Sequence, residues 1–136
     1  MFSEYDYDNF PIVKVLFHEG PNSINDFEEF TDNWIRLYDE EKYFTFIFDT
    51  TQMVDPAYKY VLKMSEFIKK LKRRDIQYLE KSIILINNNK IKYLLDAIFS
   101  IQKPVAPVYI YNINNGIIKD DIDDIINHEK TLTIIP

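Results

Sequence analysis

Two runs constrain this chain more than anything else in it: Tyr43-Phe44-Thr45-Phe46-Ile47-Phe48 and Ser82-Ile83-Ile84-Leu85-Ile86. Successive side chains on a strand point to opposite faces. A run that is apolar at nearly every position therefore has no side to offer water. Such strands belong inside a sheet that is covered on both faces. Around them the apolar residues follow another period. Ile24, Phe27, Phe30, Trp34, Leu37 and Tyr38 recur at helical spacing and predict a helix over residues 24–40. Ser23 precedes it as an N-cap, with Asp26 completing a variant of the capping box. Val61, Met64, Ile68 and Leu71 carry a second helical stripe over 56–72, with Asp55 read as its N-cap and Pro56 as its first residue. Ile91, Leu94, Leu95, Ile98 and Phe99 carry a third. Asn87-Asn88-Asn89 caps that helix and Pro104 stops it.

The remaining signals are shorter. Phe2 to Tyr7 and Pro11 to Phe17 read as a hairpin turning at Asp8-Asn9, and Gly20-Pro21-Asn22 breaks the chain after it. Val105 to Tyr111 predicts another strand, and Thr131 to Ile135 an edge strand. Between them Ile118, Ile122, Ile125 and Ile126 mark a last short helix. Strands alternating with helices predict an α/β fold, with a mostly parallel central sheet of about four to six strands, flanking helices and right-handed crossovers. The 136 residues suffice for a single domain over 1–136, burying roughly 68% of the unfolded surface without any staple.

Composition narrows the chemistry. There is no cysteine, which excludes disulfides, zinc–thiolate sites and cysteine nucleophiles. Only 2 glycines are present, and neither G-x-G-x-x-G nor G-x-x-x-x-G-K-[ST] occurs, so the usual nucleotide-phosphate cradles are absent. The histidines, His18 and His128, lie far apart, and no serine stands in a G-x-S-x-G elbow. A net charge of −6 disfavours nucleic acid and anionic membranes as partners. The opening MFSEYDYDNF lacks the basic and apolar regions of a signal peptide, and no apolar run approaches the roughly 20 residues of a membrane span. A soluble, cytoplasmic protein is expected. Abundant Ile, Asn, Lys, Tyr and Phe point to AT-rich coding DNA, as in some large DNA viruses and protists.

The order of elements resembles a known pattern. A hairpin, a helix, the strand ending in "FIFDTTQM", a long helix, "YLEKSIILINN", a helix and "KPVAPVYIY" are similar to the STAS-like fold of anti-sigma-factor antagonists, which CRAL-TRIO lipid-binding domains share. The resemblance implies a non-enzymatic regulatory or protein-interaction module, with a small binder of a lipid or other apolar ligand as the alternative. The absence of cysteine and glycine-rich motifs points to no cofactor and no metal, and a third reading, an enzyme using Asp49, lacks a catalytic constellation. The chain departs from regulatory STAS domains where they carry a phosphoacceptor Ser or Thr, at the start of the helix after the central strand. Here that start reads Val54-Asp55-Pro56-Ala57. The extra helices of lipid-transfer CRAL-TRIO proteins have no room in this length.

Two groups of residues are candidates for binding a ligand or partner. Asp49, Thr50 and Thr51 end a central strand, where ligands of open α/β sheets bind, with Asp55 just beyond. The competing reading, and the favoured one, is that they hydrogen-bond loop amides. A phosphoacceptor aspartate of receiver type is rejected, because Lys103-Pro104 precedes its strand and Phe17-His18-Glu19 supplies a single acid. Lys69, Lys70, Lys72, Arg73 and Arg74 form the one basic run. It suits the carbonyl-rich end of a helix, and otherwise acidic headgroups or an acidic partner. Asp120, Asp121, Asp123, Asp124, His128 and Glu129 read as a solvated acidic helix face, since no glycine-containing calcium loop accompanies them.

Overall fold

The computed structural model describes residues 2–53, 55–115, 121, 123, 125 and 133–135. The hairpin forms as β1 (Ser3–Asp6) antiparallel to β2 (Ile12–Phe17). There follow α1 (Ile24–Tyr38), β3 (Phe44–Asp49), a 3-10 turn over Tyr58–Tyr60, α2 (Val61–Leu71), β4 (Leu79–Ile86), α3 (Asn89–Ile101), β5 (Val108–Asn112) and β6 (Thr133–Ile135). The sheet has six strands in the order β1-β2-β3-β4-β5-β6. The pairs β2–β3, β3–β4 and β4–β5 are parallel, and β5–β6 is antiparallel. The two apolar runs are adjacent at its centre, with Ile47 opposite Ile83 and Phe48 opposite Ile84.

Neighbours in the sheet are also neighbours in the chain. Crossovers of one hand that always step the same way place every helix on one face of the sheet. The packing follows. Phe44, Phe46 and Phe48 on one face of β3 join a core with Phe30 and Trp34 of α1, Phe67 and Leu71 of α2, and Ile91 of α3. The opposite face carries Ile47, Ile83, Leu85 and Tyr111, closed by Ile125. Ile47, Ile83, Leu85 and Ile125 are all 0% exposed, so both faces are covered, though by unlike layers. Ile125 is helical, its amide bonded to Asp121 O at 3.0 Å. Most of the helix expected over Ile118–Ile126, and of the strand before residue 133, lies outside the described residues.

The caps act largely as expected. Ser23 Oγ accepts from Asp26 N at 3.3 Å. The reciprocal bond differs, because Asp26 Oδ2 accepts from Asn22 N at 3.1 Å rather than from Ser23. Asn88 Oδ1 accepts from Ile91 N at 3.2 Å and opens α3. Ile24, expected on the buried stripe of α1, is exposed because it stands in the first turn, ahead of the sheet.

Three expected boundaries shift. The second helix does not begin at Asp55-Pro56. Ala57 has ψ 73, outside the helical region, and α2 starts at Val61 with no side-chain cap. Tyr60 stacks on Phe27 of α1 at 5.3 Å, which holds the intervening 3-10 turn against the neighbouring helix. Asp55 is exposed and lies 3.8 Å from Lys90 Nζ. The fourth strand extends back to Leu79, since Phe44 N bonds Tyr78 O at 2.9 Å and continues the pairing. The fifth begins at Val108, leaving Val105 and Ala106 in a turn.

Candidate functional site

The carboxyl ends of the parallel strands gather the first candidate group. Asp49 is 1% exposed, and its Oδ1 accepts from Thr51 N at 3.0 Å and from Thr51 Oγ1 at 2.6 Å. Thr50 Oγ1 donates to Leu85 O at 2.7 Å, beside its own amide, which bonds the same carbonyl at 3.1 Å. Asn87 Nδ2 donates to Thr51 O at 3.0 Å, and Asn114 Nδ2 to Asn87 O at 3.4 Å. These residues lace the ends of β3, β4 and β5 together, which is the geometry of the capping reading. His18, unassigned in the sequence, stands at the end of β2 with Nδ1 3.1 Å from Gln52 Oε1 and Nε2 3.4 Å from Glu4 Oε2. Among the described residues no three His, Asp or Glu side chains converge as metal ligands would.

The second candidate group lies elsewhere. Lys69 and Lys70 are in the last turn of α2, and Lys72, Arg73 and Arg74 follow it; all five are exposed. The structure therefore does not bring them together with Asp49–Thr51 or Asp55.

Sequence reasoning did not find the apolar cavity between the sheet and the helices α1, α2 and α3, with a volume of about 140 Å³. Its floor is Phe48, Ile84 and Val108, one from each of the three central strands. Phe30 and Trp34 wall it from α1, Met64 and Ile68 from α2, and Leu95 and Ile98 from α3. Pro21 completes it, delivered by Gly20 at φ +116, where an added Cβ would meet Asn22 N at 2.9 Å. Among the described residues, Thr50 and Ser82 are the aliphatic hydroxyls on the wall, and no carboxylate, amine, guanidinium or imidazole lines it. Met64, Leu94, Leu95 and Phe99 are half-buried, so the cavity meets solvent along the seam between α2 and α3. Ser65 narrows that seam: its small side chain bonds Val61 O at 2.9 Å and lies 3.5 Å from Ile98 O across it.

Among the described residues the wall carries no charged side chain. The cavity is suited to holding an uncharged apolar group out of water. No protein family, no curated protein and no solved structure matches this chain. Among the described residues no helix is long and apolar enough to cross a membrane.

The signal that could have disclosed the cavity is spread over the whole chain. Its wall draws on residues from Phe2 to Val108, and each reads by itself as ordinary core. Trp34 illustrates the point. Burial raises the pKa of the Tyr38 phenol, and the indole N–H of Trp34 nearby partly offsets that rise, without the geometry of a full hydrogen bond. The ring meanwhile presents an apolar face to the cavity.

Proposed function

We propose that the chain binds a small, uncharged apolar molecule in the cavity between α2, α3 and the sheet. The single observation that carries this reading is the wall, built from eight aromatic side chains and a majority of aliphatic ones around about 140 Å³. An apolar cavity of about 150 Å³ stays dry and takes up benzene or xenon. Water gains too few hydrogen bonds in such a space to fill it, and a hydrocarbon gains dispersion contacts on every side. The volume fits a single ring or a short alkyl segment, and is below the ~300 Å³ at which larger ligand pockets begin. The reading assigns no catalytic step to the protein.

The run of hairpin, helix, strand, helix, strand, helix and strand supports the STAS-like or CRAL-TRIO-like reading of the fold, and the cavity favours its ligand-binding branch. A second reading, a non-enzymatic module that acts by protein contact, draws on the charged outer surface of α2.

The test is thermal unfolding with benzene, short alkanes or xenon, beside native mass spectrometry of the purified protein with organic extraction. A ligand held at about 100 times its Kd should add about 2.7 kcal/mol of stability. Ala106→Leu, which fills the wall from the 104–106 turn, should abolish the shift while leaving the protein folded. If no apolar probe moves the melting temperature and the extract is empty, the binding reading fails.

A further inference from the structure

Of the eight charged side chains between Tyr58 and Arg74, seven are basic and Glu66 is the sole acid. The chain carrying them has a net charge of −6. All seven are exposed, and none makes an ion pair with another described residue. Those from Lys69 onward suit the carbonyl-rich end of α2, but among the described residues none of the seven side chains bonds its carbonyls. The terminal carbonyls of α2 are bonded by the backbone amides of Lys72, Arg73 and Arg74, and Leu71 O also by Gln77 Nε2. Two of the seven have a ring beneath them: Lys59 lies over Tyr60 at 5.3 Å and Arg74 over Tyr38 at 5.1 Å. The remaining five, Lys63, Lys69, Lys70, Lys72 and Arg73, are exposed on the outer side of α2 and in the turn after it.

That side also carries exposed apolar groups at both ends. Tyr58 is 51% and Leu62 65% exposed at the start of α2, and Ile76 is 52% exposed just past the basic run. Between them α2 spans about 16 Å, at 1.5 Å for each of its 11 residues. Its inner face, through Val61, Met64 and Ile68, lines the cavity. Glu66 on α2 and Asp75 just after Arg74 are the acids within this stretch, against seven cations, and most other acids are elsewhere. Between Ser23 and Glu41 seven of the eight charged side chains are acidic, Arg36 being the exception. Glu28, Glu29 and Asp32 line an exposed groove on α1 itself. The molecule is thus charge-segregated, with an acidic helix beside a basic one.

We infer that the outer face of α2 docks on an anionic lipid bilayer. A bilayer presents a plane of charge that one helix face can meet all at once. Screening limits the reach of each charge to about 8 Å at physiological salt, so acids turned away from the plane count little against the contact. The apolar ends suit the headgroup boundary, where aliphatic and tyrosyl side chains settle. A nucleic acid offers Leu62 and Ile76 no apolar boundary to settle in, as a bilayer does. The docking face does not depend on the cavity being filled, although contact there would set the α2–α3 seam against the lipid.

Flotation with vesicles tests it. Wild-type protein should bind phosphatidylcholine vesicles only when phosphatidylserine is added, and should come off as salt is raised. The triple variant Lys63→Glu/Lys70→Glu/Arg73→Glu should lose at least about tenfold in affinity. Lys63→Arg/Lys70→Arg/Arg73→Lys should retain it, which separates charge from folding. Leu62→Ser/Ile76→Ser should weaken binding about three- to tenfold and leave its salt dependence unchanged. Ala106→Leu should still float, so failure of the cavity reading and failure of docking show in different measurements. Binding that ignores phosphatidylserine, binding that survives the triple charge reversal, no binding at all, or displacement of the protein from vesicles by an oligonucleotide would each overturn the inference.

Discussion

Tyr5 sits where the edge hairpin meets the first helix. Its hydroxyl donates to Phe30 O at 2.7 Å, and its ring packs between Tyr7, Phe30 and Phe46. Burial, and secondarily the phenol of Tyr7, pushes its pKa well above the ordinary 10.0. Burial also raises Tyr38, partly offset by Trp34 and then by the guanidinium of Arg74. The sign follows from proton linkage. Below pH 10 both phenols are neutral whether the chain is folded or not, and stability is indifferent to them. Above it the unfolded chain releases protons that the folded one retains, so stability falls as pH rises toward the folded values. Urea unfolding should therefore show a flat neutral region and a decline above about pH 10. Tyr5→Phe should cost about 1 kcal/mol at pH 7, through the lost hydrogen bond, and make the alkaline decline shallower. An unchanged alkaline slope in Tyr5→Phe would show that this phenol is not the group responsible.

At the scale of elements, the clearest hinge on stability is the start of α3. Asn88 has extended backbone and closes the first turn through the amide of Ile91, itself 1% exposed on the cavity wall. Asn88→Ala should lower stability by about 1 kcal/mol and weaken uptake of the apolar probe, because the first turn carries part of the wall. Calorimetry with and without benzene would measure both; a probe affinity equal to wild type would uncouple the cap from the site. This cap was legible in the sequence because it depends on residues three apart in the chain, and so was Ser23. The central strands were legible because an unbroken apolar run leaves one solution. The start of α2 was not, since Asp55-Pro56 has the composition of a helix entry and the outcome rests on Tyr60 finding Phe27, 33 positions earlier. The cavity was hidden for the same reason. Whether Phe48, Ile68 and Ile98 touch or leave a space depends on how far α2 and α3 stand from the sheet, and no local pattern records that distance.

At the scale of the whole molecule, and among the described residues, α1, α2 and α3 cover one face of the sheet and Ile125 packs on the other. A charge placed there would face the apolar side chains of Ile47, Ile83 and Leu85. Ile125→Asp should cost more than about 3 kcal/mol, whereas Ile125→Val should cost about 0.5–1.5 kcal/mol. Denaturant midpoints of the two variants give the comparison, and a small effect of aspartate would mean that this face tolerates water. The order of the strands has a further consequence, one of time. Each strand from β2 to β5 lies next to the strand made just before it. A chain emerging from its N-terminus at roughly 5–20 residues per second never has to hold an apolar strand open for a partner still far from being synthesised. The hairpin is complete first and offers β2 as a template to β3, and each later strand finds its neighbour already in place. In such a sheet the order of manufacture is also the order of assembly.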